Sequence, residues 1–298
     1  MLGPVASLAI LALGAYASPL PRQTVTQIAV STIDAYSPYT QFARAAYCPI
    51  TETASWSCGQ ACAANAGFVP YATGGDDDDT PYYFIGYWPT ENAAVVAHEG
   101  TDPTQFLSLL VDADFFLENL DSTLFPGLSS SIEAHSGFLA AHSRSAATVL
   151  SAVQQVISDH GVTNVITIGH SLGGAIALLD AVYLPLHLPS TITFRSVLYG
   201  LPRVGNPSFA EYVDANVNLV HITNMLDPIP IVPGEFLGFA QPQGEEHIIG
   251  GTDWVACAGD DNPSVDCSTG AVPTILTSNI VDHLGPYNGI YIGTIYCT

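Results

Sequence analysis

Val165-Ile166-Thr167-Ile168-Gly169-His170-Ser171-Leu172-Gly173-Gly174-Ala175-Ile176-Ala177 is the stretch whose reading decides the fold. Four consecutive β-branched residues favour a strand, and the run of small and straight-chain residues that follows favours a helix. Between them lies Gly-x-Ser-x-Gly. A strand passing into a helix through that pentapeptide is the context in which its serine stands exposed as a nucleophile on a sharp turn. Gly169 and Gly173 flank Ser171 because such a turn leaves no room for Cβ atoms. The hydroxyl then sits at a helix N-terminus, whose N–H groups stabilise negative charge. The bare pattern also occurs at ordinary left-handed turns, and the flanking strand and helix separate the two readings.

Elements alternate on both sides of this stretch. Upstream, 82–87 and 93–98 read as strands. Residues 143–160 place Ala147, Leu150, Val153, Val156 and Ile157 on one helical face. Downstream, 172–183 and 209–217 read as helices and 195–200 and 219–223 as strands, while 243–250 is expected to pair at a sheet edge. Residues 25–46 read as a helical arm outside the sheet, broken at Ser37-Pro38. The alternation predicts an α/β fold with a mainly parallel central sheet covered by helices. With no internal repeat and no linker, 23–298 reads as a single domain.

A hydrophobic fraction of 48% over 298 residues fills a sizeable core and excludes global disorder. Acidic residues number 27 against five basic ones, all arginine, for a net charge of −22. No basic patch can form, so nucleic acid is excluded as a partner and attraction to anionic lipid is disfavoured. Residues 2–16 are almost wholly apolar or small and end in Ala15-Tyr16-Ala17, so 1–17 is expected to be a signal peptide of a secreted protein, although it lacks Lys and Arg. Residues 18–22 could form a short pro-segment. The apolar stretch is too short for a comfortable span and no later one resembles a span, so stable membrane insertion is not expected.

Six cysteines suit export and allow fifteen pairings. Cys58 and Cys62 are close enough for a local bridge, and Cys257 and Cys267 bracket a polar loop and could close locally, which leaves Cys48 with Cys297. A zinc site is the competing reading, and the spacing suits it poorly. Asp76 to Asp79 could bind calcium but reads more simply as a solvated loop. No metal and no cofactor are expected.

A serine hydroxyl needs a histidine base, and the base needs a carboxylate to fix its tautomer. Asp227 follows the 219–223 strand and precedes Pro228 and Pro230, which fits the acid, although Asp-Pro is also an ordinary turn former. Of the later histidines, His187 and His221 precede that acid. His247 lies in a strand-like run and His283 in a loop punctuated by Gly285-Pro286, so His283 is favoured over His247. Leu172 supplies one oxyanion N–H, and Thr101, after Gly100, is the candidate for the other. The apolar run at 104–120 reads either as a buried helix started by Pro103 or as a mobile lid.

Several motifs occur together in order: Gly100-Thr101-Asp102, His135-Ser136-Gly137-Phe138, Gly169 through Ala175, Tyr199 through Asn206, Asn224 through Pro230, and Asp282-His283-Leu284. This set closely resembles the fungal class 3 lipases, which include feruloyl esterases. The resemblance implies an α/β-hydrolase fold with catalytic Ser171, Asp227 and His283, and an oxyanion hole at Thr101 and Leu172. It also implies a lid containing Pro103, Phe106, Leu107, Leu109 and Leu110, supports the Cys48–Cys297 bridge, and makes Arg203 structural. Two departures stand out: Glu99, after His98, where the family commonly has Arg, and a lid without Trp. The implied function is a secreted triacylglycerol lipase acting as a monomer on lipid esters at an oil–water interface. The alternatives are a feruloyl or other non-lipid carboxylesterase, or a catalytically silent binding protein on the same fold.

Overall fold

The computed structural model describes residues 23–76, 78–101 and 116–297. Its strands are β1 (Val25–Gln27), β2 (Val69–Gly74), β3 (Tyr83–Trp88), β4 (Ala93–His98), β5 (Leu117–Asn119), β6 (Glu133–His135), β7 (Asn164–His170), β8 (Thr193–Tyr199), β9 (Leu219–Asn224), β10 (Glu245–Gly250) and β11 (Asp253–Cys257). Nine of them form one sheet in the order β1-β11-β10-β9-β8-β7-β4-β3-β2, and β5 and β6 make a separate ribbon. Pairing is parallel from β4 through β7, β8 and β9 to β10, and antiparallel towards both edges.

Helices cover the two faces. On one side lie α5 (Ser136–His160), α6 (Leu172–His187) and α7 (Pro207–Asn216). On the other lie α1 (Val30–Ala35), α2 (Ser37–Ala45), α3 (Ile50–Ala54) and α4 (Gly59–Ala63), with Phe42, Trp56, Phe68, Phe84 and Trp88 packed edge-on or tilted. Such pairs add to the burial of their area. Helix α6 is buried all round from Gly173 through Leu184, which a near-continuous apolar sequence requires. Helix α5 stops at Gly161, whose φ of 63° closes the end with an N–H bond to the Ile157 carbonyl. Helix α7 starts where the Asn206 side chain accepts from the Phe209 N–H at 2.9 Å.

Four expectations change. Residues 25–27 are not helical: they pair with β11, Val25 opposite Cys257, because that strand offers a free edge. Strand β10 is not an edge, since β11 turns back beside it and covers it. Helix α5 begins at Ser136 rather than 143, capped by the His135 imidazole, whose Nδ1 accepts from the Gly137 N–H at 3.1 Å. The end of the apolar 104–120 run is a strand, β5, paired with β6.

Three bridges join Cys48–Cys297, Cys58–Cys62 and Cys257–Cys267. In a chain-entropy view the first, closing a loop 249 residues long, contributes about 5 kcal/mol against about 2 kcal/mol for Cys58–Cys62. Arg203 is buried and donates to Asp261 through Nε at 2.8 Å and through its terminal nitrogen at 2.6 Å, and to the carbonyls of Ile231 and Pro233. It straps the 229–235 segment to the sheet, a structural role. Among the described residues no helix is long and apolar enough to cross a membrane.

Asp260 carries the fold's clearest pH signature. Burial, then the neighbouring Asp214 and Asp261, push its pKa up to about 6. A carboxyl whose folded pKa is raised binds more protons folded than unfolded, so its contribution is present at low pH and is lost as pH rises through about 6. Asp260→Asn is therefore expected to raise the thermal midpoint at pH 7.5 and to leave it unchanged below pH 4, as followed by circular dichroism.

Candidate active site

Ser171 sits between β7 and α6 with φ 60° and ψ −129°. A non-glycine residue held there stores about 1–3 kcal/mol of strain, which the surrounding main chain must over-determine. It does so by contact. A Cβ on Gly169 would lie 2.2 Å from the Gly173 carbonyl oxygen, and one on Gly173 would lie 2.3 Å from that of His98. The turn is pinned further by Ser171 N–H to the Tyr199 carbonyl at 3.0 Å and Gly174 N–H to the Ser171 carbonyl at 2.9 Å.

Asp227 lies in the loop after β9 and His283 in the one-turn helix Ile280–Leu284. Asp227 Oδ1 accepts from the Ile229 N–H at 2.8 Å, and Oδ2 lies 2.8 Å from His283 Nδ1. A carboxylate accepts, so Nδ1 carries the proton and Nε2 is left with its lone pair. Ser171, Asp227 and His283 are all buried. Among the described residues neither Ser171 Oγ nor His283 Nε2 has a hydrogen-bond partner. A hydroxyl that can donate and a ring nitrogen that can only accept are thus both sequestered at the same end of the sheet. Such a set can deprotonate an alcohol and stabilise the imidazolium that results.

The other candidates fall elsewhere. His247 lies in β10, its Nδ1 2.8 Å from Thr223 Oγ1, and burial pushes its pKa down. His221 is buried in β9, its Nε2 3.1 Å from the Pro242 carbonyl. Asp282 accepts from the Leu226 N–H through Oδ2 and from Asn279 through Oδ1, which braces the loop of His283. Cys257 and Cys267 lie near Glu245, and Cys48 and Cys297 near Glu52, but all four sulfurs are in disulfides, which removes the thiolates a zinc site needs. In the acidic loop, Asp76 Oδ1 accepts from the N–H groups of Asp78 and Thr80, a turn geometry.

Thr101 follows Gly100, where an added Cβ would lie 2.9 Å from that of Ser171, so this turn abuts the serine. Leu172 opens α6. The lid residues Pro103, Phe106, Leu107, Leu109 and Leu110 lie outside the described residues. The departure at the end of β4, Glu99 after His98, has definite partners. Glu99 accepts from the Tyr82 N–H at 2.9 Å. His98 Nε2 lies 2.6 Å from Asp180 Oδ2, and His142 Nε2 3.1 Å from Asp180 Oδ1. Burial pushes the Asp180 carboxyl up, but the hydrogen bonds from His142 and His98 outweigh it and hold the pKa at about 2. This buried trio ties β4 to α5 and α6 beneath the Gly100 turn.

Sequence reasoning passed over Gly200, Tyr47 and Tyr287. Gly200 has φ 51°, and a Cβ there would lie 2.6 Å from His283 Cε1 and 3.1 Å from Asp227 Oδ2. Its signal was a glycine at the end of a strand, before Leu201-Pro202. Tyr287 donates to the His283 carbonyl at 3.0 Å.

Residues 95–237 match the class 3 lipase family. A secreted mono- and diacylglycerol lipase of Malassezia globosa is 32% identical over 202 residues, 66% of this chain and 64% of that one. A lipase of Rhizopus niveus is 34% identical over 161 residues, 52% of this chain and 40% of that one. The match thus spans less than two thirds of these curated relatives. Among solved structures, lipase II from Rhizopus niveus superposes with a TM-score of 0.78 at 25% identity, covering 92% of this chain and 100% of that one. The Rhizomucor miehei triacylglyceride lipase does so with a TM-score of 0.78 at 23% identity, with the same coverage. The architecture described above is the α/β-hydrolase fold.

Because Gly200 is the wall against which the His283–Asp227 pair rests, a methyl group there is expected to separate the two. Proton NMR in water should show a downfield His283 Nδ1 resonance in the wild type, lost in Gly200→Ala and in Asp227→Ala.

Proposed function

We propose that the chain, whose residues 95–237 match the class 3 lipase family, is a secreted, monomeric serine ester hydrolase acting on acylglycerols at an oil–water surface. The observation that carries the reading is the buried His283–Asp227 pair at the same end of the sheet as Ser171, with Ser171 Oγ and His283 Nε2 both unpartnered among the described residues.

In the proposed reaction Ser171 Oγ adds to the ester carbonyl while its proton passes to His283 Nε2. Asp227 holds the imidazolium through Nδ1–H, and the N–H groups of Thr101 and Leu172 receive the oxyanion. Collapse breaks the bond to the leaving alcohol, which takes the proton from His283, and an acyl-Ser171 ester remains. Water then gives a proton to His283 and its hydroxyl to the acyl carbon, and the carboxylic acid leaves as Ser171 recovers its proton. No cofactor enters this sequence.

The surroundings support a lipid ester over a polar one. Met225 and Leu226, immediately before Asp227, and Val281 (61% exposed), two residues before His283, are exposed. Leu226 and Val281 belong to one braced unit, since the Asn279 N–H donates to the Leu226 carbonyl at 2.8 Å. Exposed apolar side chains grouped at a site mark a surface that meets another apolar phase.

The test is hydrolysis of a soluble short-chain ester, of emulsified mono-, di- and triacylglycerols and of a feruloyl ester, each with wild type and Ser171→Ala. Expected is turnover of the soluble ester and faster turnover on emulsions, with the variant about 10³- to 10⁶-fold slower on all. Activity confined to the feruloyl ester would move the assignment to the non-lipid esterases. An unimpaired Ser171→Ala would remove the serine mechanism.

A further inference from the structure

A run of hydrogen bonds joins the turn at Gly100 to the main chain of His283 without using the groups assigned to bond making. Tyr47 Oη lies 2.6 Å from His170 Nδ1, and His170 Nε2 lies 2.7 Å from the His283 carbonyl oxygen. A carbonyl only accepts, so Nε2 holds the imidazole proton. Nδ1 therefore offers its lone pair to the Tyr47 hydroxyl. The Gly100 amide faces the same tyrosine oxygen, and a Cβ on Gly100 would lie 2.3 Å from it. Both Tyr47 and His170 are buried.

Each group is held in the protonation state that this pattern needs. Burial, then the Glu99 carboxylate, pushes the Tyr47 hydroxyl well above its ordinary range, so it remains a donor. Burial, then the nearby His283, pushes His170 well below its own, so it remains neutral. The two imidazole centroids are 4.3 Å apart. A cation at His170 would oppose the proton that His283 must accept.

The mechanical need is clear from how the two reacting groups are mounted. Ser171 is fixed by main-chain contact on both sides. His283 rides on a short loop helix, and Asp227 restrains only its imidazole ring, through Nδ1. The loop is braced at Asp282 by the Leu226 N–H and the Asn224 side chain, and at the carbonyl of His283 itself it is gripped by His170 and by Tyr287. A shift of about 1 Å in a reacting group can cost roughly 100-fold in rate.

We propose that Tyr47 and His170 are positioning residues, in which the Tyr47 hydroxyl fixes the His170 tautomer and His170 holds the main chain of His283 in register with the Gly100–Thr101 turn. The inference rests on the reading of Ser171 and His283 as nucleophile and base. Neither side chain touches substrate, so the effect falls on turnover and not on binding.

The test compares full-length Tyr47→Phe, His170→Leu and His170→Gln with wild type and Ser171→Ala on a soluble ester, alongside thermal midpoints and stoichiometric labelling by a phosphonate ester. His170→Leu is expected to lower kcat about 10- to 100-fold with KM within about twofold, and Tyr47→Phe about 3- to 10-fold. His170→Gln keeps one donor and one acceptor, so it should recover most of the loss. The proposal is overturned if His170→Leu and Tyr47→Phe turn over like wild type, if glutamine is no better than leucine, or if the loss lies in KM. Should His170→Leu fail to fold, the ratio of Tyr47→Phe and His170→Gln to wild type decides the matter. Failure of the underlying reading shows separately, as an active Ser171→Ala.

Discussion

Main-chain contact at the strand-to-helix turn is the constraint on which the rest of the structure depends. Gly169 meets Gly173, and Gly173 meets the carbonyls of His98 and Glu99, at distances no side chain could share. Three segments therefore touch at one point: the ends of β4 and β7 and the start of α6. Because β4 and β7 are parallel neighbours, the turn leaving one is delivered beside the serine leaving the other. Continuing outward along the parallel strands, β8 ends at the Gly200 wall and β9 leads to Asp227. The candidate site is assembled by sheet order, one strand end at a time.

The charge distribution follows from the same economy of position. With five arginines and no lysine, the chain has few cations to place. Arg203 is committed to the interior, strapping the loop that follows Asp227, and Arg195 lies over the Tyr39 ring. Buried carboxylates are met instead by imidazoles: Asp180 by His98 and His142, Asp227 by His283. Breaking a buried pair of this kind leaves an uncompensated charge, which is far costlier than losing the same contact at a surface. The excess negative charge stays outside, where water and ions screen it.

What the sequence made legible was whatever is local. Ser171 and its glycines announce themselves within five residues, and the strands at 93–98 and 164–168 by β-branched or apolar runs. Asp227 and His283 were legible only as candidates, through chain order and loop chemistry, and the residues alone left His247 in contention. Only the fold shows His247 turned towards Thr223. The start of α5 was hidden because its cap is a histidine and its first turn contains glycine, neither of which is the usual start signal. Strand β1, three residues long, was hidden because its partner lies more than two hundred positions away. The same remoteness concealed His98–Asp180 and the Tyr47–His170–His283 run, whose members have no spacing rule to betray them.

The bridge between Cys48 and Cys297 has a topological consequence. It turns nearly the whole described chain into one covalent ring. A protease that cuts any exposed loop inside that ring opens it without releasing a fragment. The cut ends stay tethered through the bridge, and the hydrophobic sheet keeps its two halves in contact. Among proteases, a nicked molecule of this kind would persist as a single body until a reductant reached the bridge. Resistance to degradation is then a property of the ring and of no single loop.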